Sequence, residues 1–567
     1  MSIKEFIMIY VLLSIFLGVM CCMIQWNLSQ RSYSSLSVAY RHSSQKTVLS
    51  LLIFYLVIGI FLPVIAAPAQ SDEASVSQTK VTQPVQVLIL SDLIGYIEPC
   101  GCTIDLTLGG IQKTIALVKE AQAKGPTLLL VAGSHLFEYP ELESAKKAQQ
   151  VAKAKLIRQL LYEMSVDAFT PGINDKAAGY DFYQSMQHQF PLSDVTINQT
   201  GGLAKVIDVG SVKIGVFAVA PPQSTLGLLS STDQATDPLL SVQSSVDALQ
   251  AQGADVVIAM STLPRKDLKE LAQKVKSVDF WILGNQPLEE KGLYTIHDTS
   301  ARLIEAGDRG RHLARLTLHN AKQKGAFANP MGAHQKAIKD LKRSIKLKEK
   351  FARGLGGMKA RAQIAQLKND LSLKEKQSVS YPTNQKYLRY ELQPITKDLP
   401  DDSQVSQQIE AYQSRLKKLN LSAAGEVVPV GKNGNGYAGV SECEMCHPMA
   451  VKFWKTTKHA QAWKTLEDAN KTYDVDCVSC HVAGFLKPGG SALGHTDKLK
   501  DVQCEACHGP SGKHAERGGG EAWTKRSVPA TTCQKCHNKH HSPNFNYETY
   551  LPKVLGPGHG LPLPETP

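Results

Sequence analysis

Eight of the twelve cysteines fall into four pairs, each with two residues between the thiols and a histidine directly after the second. These are Cys443-Cys446-His447, Cys477-Cys480-His481, Cys504-Cys507-His508 and Cys533-Cys536-His537. The spacing lets both thiols add to the two vinyl groups on one edge of a haem while the adjacent imidazole reaches the iron from one face. Zinc ribbons and redox disulfides also use two-residue cysteine spacing. A zinc ribbon, however, does not require a histidine after every pair, and a disulfide centre has no use for one. The expectation is four covalent haem c groups, with His447, His481, His508 and His537 as proximal ligands.

Six further histidines lie in the same segment: His459, His495, His514, His540, His541 and His559. A histidine on the second face of an iron makes it six-coordinate, which favours electron transfer over binding of small molecules. His459 is twelve residues past His447, far enough to reach a neighbouring iron and badly placed to fold back on its own. His514 follows the third motif across Gly509, Pro510 and Gly512, a turn-rich bridge that can swing it toward an adjacent haem. His559, between Gly558 and Gly560, suits a terminal lid. The segment has few aliphatic positions at regular spacing, so porphyrin must supply apolar mass, and without haem it should not fold.

The run Trp454 to Trp463 around His459, then Asp476-Cys-Val-Ser-Cys-His481-Val-Ala-Gly-Phe485, then Val502 to His514, resembles the tetrahaem cytochromes c of the cytochrome c-554 type. Those proteins are electron carriers known from ammonia oxidisers. The resemblance covers about 440 to 560. It implies closely stacked haems, distal ligands at His459, His514 and His559, and a five-coordinate iron at the second motif, Cys477 to His481. His495, His540 and His541 match its ligand positions less clearly.

The elements that carry this segment begin far upstream. At 567 residues the chain is too long for one ordinary core, and 43% hydrophobic with 20% charged residues is a globular composition. Residues 1–69 hold two apolar runs, Phe6 to Trp26 and Val48 to Ala67. One reading is a start nearer Val38 and a cleavable signal ending at Ala67-Pro68-Ala69; the other is a two-helix anchor with Arg31, Arg41 and Lys46 in the cytoplasm. Both put the rest outside the cytoplasm, in a periplasmic or other extracytoplasmic space. A polar tether, 70–84, follows.

From 85 to 321, short aliphatic runs (85–90, 127–131, 206–220, 256–260, 278–283) alternate with helical patterns (111–124, 146–164), which predicts an α/β domain. Residues 322–430 read as a helical, charged linker, and Gly431 to Gly439 as a hinge into a mainly α and irregular multihaem domain, 431–567. The net charge of +12 is local: Lys336 to Lys376 carries 13 basic and 4 acidic side chains. A solvated helix face explains it; docking to an acidic redox partner or anionic lipid is the alternative, and no nucleic-acid role is expected.

Within the α/β region, Val87 to Cys102, Val131-Ala-Gly-Ser134-His135, Pro171-Gly-Ile-Asn174-Asp175, Ile282-Leu-Gly-Asn285-Gln286 and Gly307 to Arg311 resemble, in order, the metallophosphoesterases of the 5'-nucleotidase type. The resemblance implies a sandwich with two metals held by Asp and His ligands. Asp92 matches. Ile94 stands where a His is expected, Ser134 where a bridging Asp is expected, Asn174-Asp175 for an Asn-His pair, and Gly284-Asn285-Gln286-Pro287 for Gly-His-x-His. The expectation is a degenerate, non-hydrolytic domain. Cys100 and Cys102, with His135 as a third candidate, read as metal-binding, reactive or inert thiols.

Electron transfer by an exported tetrahaem cytochrome is the leading expectation, fed by a redox partner protein or a quinol-linked donor. The rivals are a haem enzyme acting on a small nitrogen or oxygen species and a phosphoesterase with an attached redox module.

Overall fold

The computed structural model describes residues 83–99, 108–199, 202–221, 238–285, 291–352, 357–432, 434–538, 542 and 544–559. All of them fall in one unit beginning at Lys80. The signal or anchor segment, most of the tether, Cys100, Cys102, Gln286, Pro287, His540 and His541 lie outside the described residues. Among the described residues no helix is long and apolar enough to cross a membrane.

Two mixed sheets face each other. In the first, β1 (Val85–Ser91), β2 (Thr127–Gly133) and β3 (Ala168–Pro171) run parallel. β10 (His312–His319) pairs antiparallel with β1, and β11 (Tyr387–Pro394) antiparallel with β10. The second sheet has the order β4-β5-β6-β7-β9-β8, from β4 (Lys205–Val209), β5 (Val212–Val219), β6 (Val256–Ser261), β7 (Phe280–Leu283), β8 (Gly292–Thr295) and β9 (Arg302–Glu305). The run 206–220 is thus a hairpin and not one strand: Gly210, at φ 61°, makes the turn between the paired Val209 and Val212.

Side-chain alternation explains the layers. Val85, Val87 and Ile89 of β1 meet Val216, Ile258 and Ile282 between the sheets, while Leu88 and Leu90 point the other way. Those outward residues are covered by α1 (Ile111–Lys124), α2 (Ser144–Glu163) and a later helix, α8 (Ser403–Ala424). A short helix, α3 (Tyr180–Gln189), follows β3. α4 (Pro238–Ala251) and α5 (Arg265–Lys274) cover the outer face of the second sheet. Strands buried on both faces read as unbroken apolar runs, which is why β2 and β6 were legible.

The stretch expected as a helical linker is more than that. α6 (Pro330–Phe351) and α7 (Gly357–Lys376) form an antiparallel pair, with Lys342–Glu375 at 2.8 Å and Lys368–Glu349 at 2.9 Å across it. Being exposed, those ion pairs contribute little. β11 then completes the first sheet, and Asp402 caps α8 by accepting from Val405 N. β11 is hard to read because only Leu388 is buried in the inter-sheet core, while Tyr390 and Leu392 pack at its margin and the charged Arg389 and Glu391 stand between them.

The remaining chain is a series of short helices: α9 (Val440–Glu444), α10 (Pro448–Trp454), α11 (Ala462–Asp468), α12 (Val475–His481), α13 (Cys504–His508), α14 (Gly512–Glu516), α15 (Ala530–Cys533) and α16 (Tyr547–Tyr550). Their apolar cluster is small: Ala424, Trp463, Leu466, Val475, Val478, Val482 and Leu493. The glycine-rich stretch 431–439 is docked rather than a free hinge. Glu505, buried inside the third motif, accepts from Ala438 N at 2.9 Å and Gly439 N at 2.8 Å.

If β11 belongs to the core, Leu388→Ala should lower the stability of the full-length protein by about 2–4 kcal/mol. Denaturant unfolding followed by circular dichroism measures this; an unchanged midpoint would return 387–394 to the status of a linker.

Candidate functional site

Each cysteine motif sits on or beside one helical turn, so the two thiols at i and i+3 and the imidazole at i+4 share a face. The turn is closed in the first and fourth motifs by His447 N donating to Cys443 O at 2.9 Å and His537 N to Cys533 O at 2.8 Å. In the second, Asp474 caps α12 by accepting from Asp476 N at 3.0 Å. All eight cysteines are free thiols. Thiols of different motifs nevertheless lie close together, Cys443 beside Cys504 and Cys480 beside Cys536.

The histidines come together in facing pairs. His447 and His514 stack at 6.3 Å between ring centroids and 17° between planes. His508 and His559 stand 6.3 Å apart at 22°, and His459 and His537 6.1 Å apart at 43°. A metal held between two imidazoles lies about 2.0 Å from each nitrogen, and each nitrogen roughly 1.1 Å from its ring centre, so the centroids should be about 6.2 Å apart. All three pairs have that separation. His481 has no facing imidazole among the described residues, and the exposed His495 joins no pair.

Backbone carbonyls orient several of these rings. His481 Nδ1 donates to Ala462 O at 2.6 Å, His508 Nδ1 to Lys525 O at 2.6 Å and His514 Nδ1 to Gly520 O at 3.0 Å. A carbonyl only accepts, so Nδ1 carries the proton and the Nε2 lone pair is left for a metal. Burial holds His459 below the usual imidazole range, aided by His537, and does the same for His559, aided by His508 and His447. Neutral imidazole is the ligating form. Thiol pairs flanked by imidazoles at this separation fit a covalently attached haem, and they do not fit zinc. Among the described residues, no three His, Cys, Asp or Glu side chains converge as a tetrahedral site requires.

The second candidate site lies at the carboxyl ends of strands from both sheets. Asp92 follows β1, Ser134 follows β2, Asn174 and Asp175 follow β3, and Asn285 follows β7. Here hydrogen bonds fill the space. Asp92 Oδ1 accepts from Ser134 N and Asn285 N, both at 2.8 Å, and Ser134 Oγ donates to Asn285 Oδ1 at 2.7 Å. Asp175 Oδ1 accepts from His135 N at 2.6 Å and Leu136 N at 2.7 Å. His135 is fully buried, and burial pushes it down to about 3, leaving it a neutral core residue beside Phe169. The loop shape persists without ligands: Asp92 at φ 45°, Ile94 at 40° and Asn285 at 62° hold left-handed backbone that ordinary side chains rarely adopt.

Sequence reading missed the contacts between the two regions. Gln149 and Lys153 of α2 bond to Asp474 and Asp476, more than 320 residues away, and Glu98 pairs with Lys471 at 2.8 Å. No local pattern announces such contacts.

A family model described as Cytochrome c554 and c-prime matches residues 442–509. Cytochrome c-554 of Nitrosomonas europaea is 30% identical over 23% of this chain and 64% of its own length, so the chain spans less than two thirds of that relative. Among solved structures, the 5'-nucleotidase precursor of Thermus thermophilus is 15% identical, with 61% of each chain covered and a TM-score of 0.41. The calcineurin-like phosphoesterase YfkN of Bacillus subtilis is 16% identical, covering 60% of this chain and 98% of its own at a TM-score of 0.39. Both resemblances read in the sequence recur in these comparisons.

Burial pushes Asp92 up to about 8 from 3.8, against the N–H groups of Asn285 and Ser134, which favour the carboxylate. A carboxyl raised on folding contributes stability below its unfolded pKa and loses it as pH rises through the folded one, here a window of about 4 to 8. Asp92→Asn keeps the acceptor oxygen and cannot ionise. Thermal melts between pH 5 and 8 should show the variant gaining on the wild type by roughly 1.4 kcal/mol per pH unit. A difference independent of pH would mean that the buried group is ionised throughout.

Proposed function

We propose that this chain is an exported tetrahaem cytochrome c whose α/β domain is not a hydrolase. Haems attach at Cys443 and Cys446, Cys477 and Cys480, Cys504 and Cys507, and Cys533 and Cys536. His447, His481, His508 and His537 are the proximal ligands. The observation that carries the reading is the three imidazole pairs at metal-bridging separation. By those pairs His514 lies opposite His447, His559 opposite His508, and His459 opposite His537.

Haem supplies reversible one-electron chemistry when bound. The chain's own residues do the rest. Thiols anchor each group covalently, carbonyls of Ala462, Lys525 and Gly520 fix ring orientation, and thiol contacts support close spacing of the first with the third motif and the second with the fourth. Bis-imidazole pairs leave no open coordination position, which suits a carrier. The resemblance to cytochrome c-554 and the apolar amino-terminal runs support an extracytoplasmic location. A redox protein or a quinol-linked donor is the corresponding partner.

A second reading rests on His481, which has no facing imidazole among the described residues. An iron there would keep a free position and bind a small nitrogen or oxygen species. A phosphoesterase has less support, because Asp92 is committed to backbone N–H groups, Ile94 has no donor atom, and Ser134 and Asn285 supply neither imidazole nor carboxylate and bond each other.

Pyridine haemochrome analysis should give four covalent haems per chain; a value near zero, with zinc in their place, would end the reading. Electron paramagnetic resonance of the oxidised protein should show a minority high-spin signal that shifts with cyanide or nitric oxide. His459→Ala, His514→Ala and His559→Ala should each add one high-spin iron. Four low-spin irons inert to those ligands would remove the enzyme alternative. Purified protein should not hydrolyse nucleotides, and turnover abolished by Asp92→Ala would restore the phosphoesterase.

A further inference from the structure

The helix that carries the second motif is held by the α/β domain. α2 presents Lys146, Gln149 and Lys153 at i, i+3 and i+7, one helical face. Gln149, 1% exposed, uses its whole amide on this contact. Its Nε2 donates to Asp474 Oδ1 at 2.5 Å and Asp476 Oδ2 at 3.1 Å, and its Oε1 accepts from Asn420 Nδ2 at 2.6 Å and Val475 N at 3.1 Å. Lys153 Nζ bonds Asp476 Oδ2 at 2.9 Å, in a pair whose side chains are 19% and 34% exposed. Burial opposes the charge of Lys153, but Asp476 and Asp474 outweigh it and hold the ammonium above its usual range. Asp476 stays ionised for the same reason in reverse, its burial overcome by Lys153. Across the same contact, Lys471 pairs with Glu98 at 2.8 Å.

We infer that α2 serves the second motif as a positioning element, with Gln149 fixing the register of α12 and Lys153 setting the reduction potential of the group bound at Cys477, Cys480 and His481. This rests on the haem reading above and adds a use for the α/β domain. The physical ground is charge. Asp476 lies next to Cys477, and in a medium of low polarity its carboxylate favours the oxidised, more positive iron, whereas burial and the neighbouring Asp476 hold the Asp474 carboxyl above its usual range. The Lys153 ammonium offsets the Asp476 charge. Removing it shifts the balance toward the oxidised state of that haem, and the effect should be largest at the second motif, whose helix Lys153 touches.

The test is a spectroelectrochemical titration of the full-length, haem-loaded protein. Lys153→Met should disfavour reduction of one haem of the four by about tenfold, a fall of about 59 mV for one electron, and Lys153→Arg should stay close to the wild type. The double variant Lys153→Met, Asp476→Asn removes both charges and should return the potential to within about twofold in the equilibrium constant. Limited proteolysis near 425–439 reports whether the domains stay docked. A Lys153→Met potential equal to the wild type in docked protein, or a shift shared by all four haems, would overturn the inference. So would a double variant as displaced as the single one, since geometry rather than charge would then be the cause. Haem count and wild-type spin state, measured on the same samples, decide the haem reading separately.

Discussion

About 130 residues at the carboxyl end carry four reactive motifs on one small apolar cluster, in which Trp463 and Leu466 are the largest members besides Leu493. That shortage of apolar surface governs the rest of the segment. Helices of four to seven residues cannot hold themselves in water, so their ends are tied to something else. Some ties are internal, such as Glu505 gathering the N–H groups of Ala438, Gly439 and Ser511. Others come from the larger domain, through Ala424, Asn420 and Gln149. Facing neutral imidazoles gain little from each other at 6.1 to 6.3 Å, and a group held between them would account for the arrangement.

The α/β domain shows the complementary situation, an abundance of core and a strand-end site whose described polar groups bond one another. Two sheets share one apolar interior, and their strand ends converge on Asp92, Ser134, Asp175 and Asn285. Asp92 has been turned inward, and its oxygens receive backbone donors from two loops. Gly133 permits that approach, since a Cβ there would collide with Asp92 Oδ1. These hydrogen bonds tie the loops at the strand ends to one another.

Much of this was legible in the sequence, for a reason that differs between the halves. Fully buried strands such as β1 and β6 announce themselves as apolar runs, and haem motifs by strict spacing. The candidates His459, His514 and His559 are the residues found facing other imidazoles, and turn residues at Gly509, Pro510 and Gly558 point to two of them. β11 escaped because its alternating Leu388, Tyr390 and Leu392 are a short signal beside a long charged helical stretch, and only Leu388 is fully buried. The Gly431–Gly439 stretch reads as a hinge because glycine signals freedom, whereas here it allows backbone to approach Glu505. Gln149 and Asp474 escaped because pairs this distant in sequence leave no mark on either neighbourhood.

The juxtaposition of thiols from different motifs bears on how such a chain can mature. In the folded arrangement Cys443 meets Cys504 and Cys480 meets Cys536. In an oxidising compartment adjacent thiols become disulfides, and each such crosslink would consume one cysteine from two attachment points at once. Compaction and porphyrin ligation are therefore in kinetic competition for the same sulfur atoms. Ligation before compaction would avoid that competition, and the small apolar cluster of the segment gives it little drive to compact first. The upstream domain, with its own interior, is under no such restraint and can be complete while the segment behind it still waits.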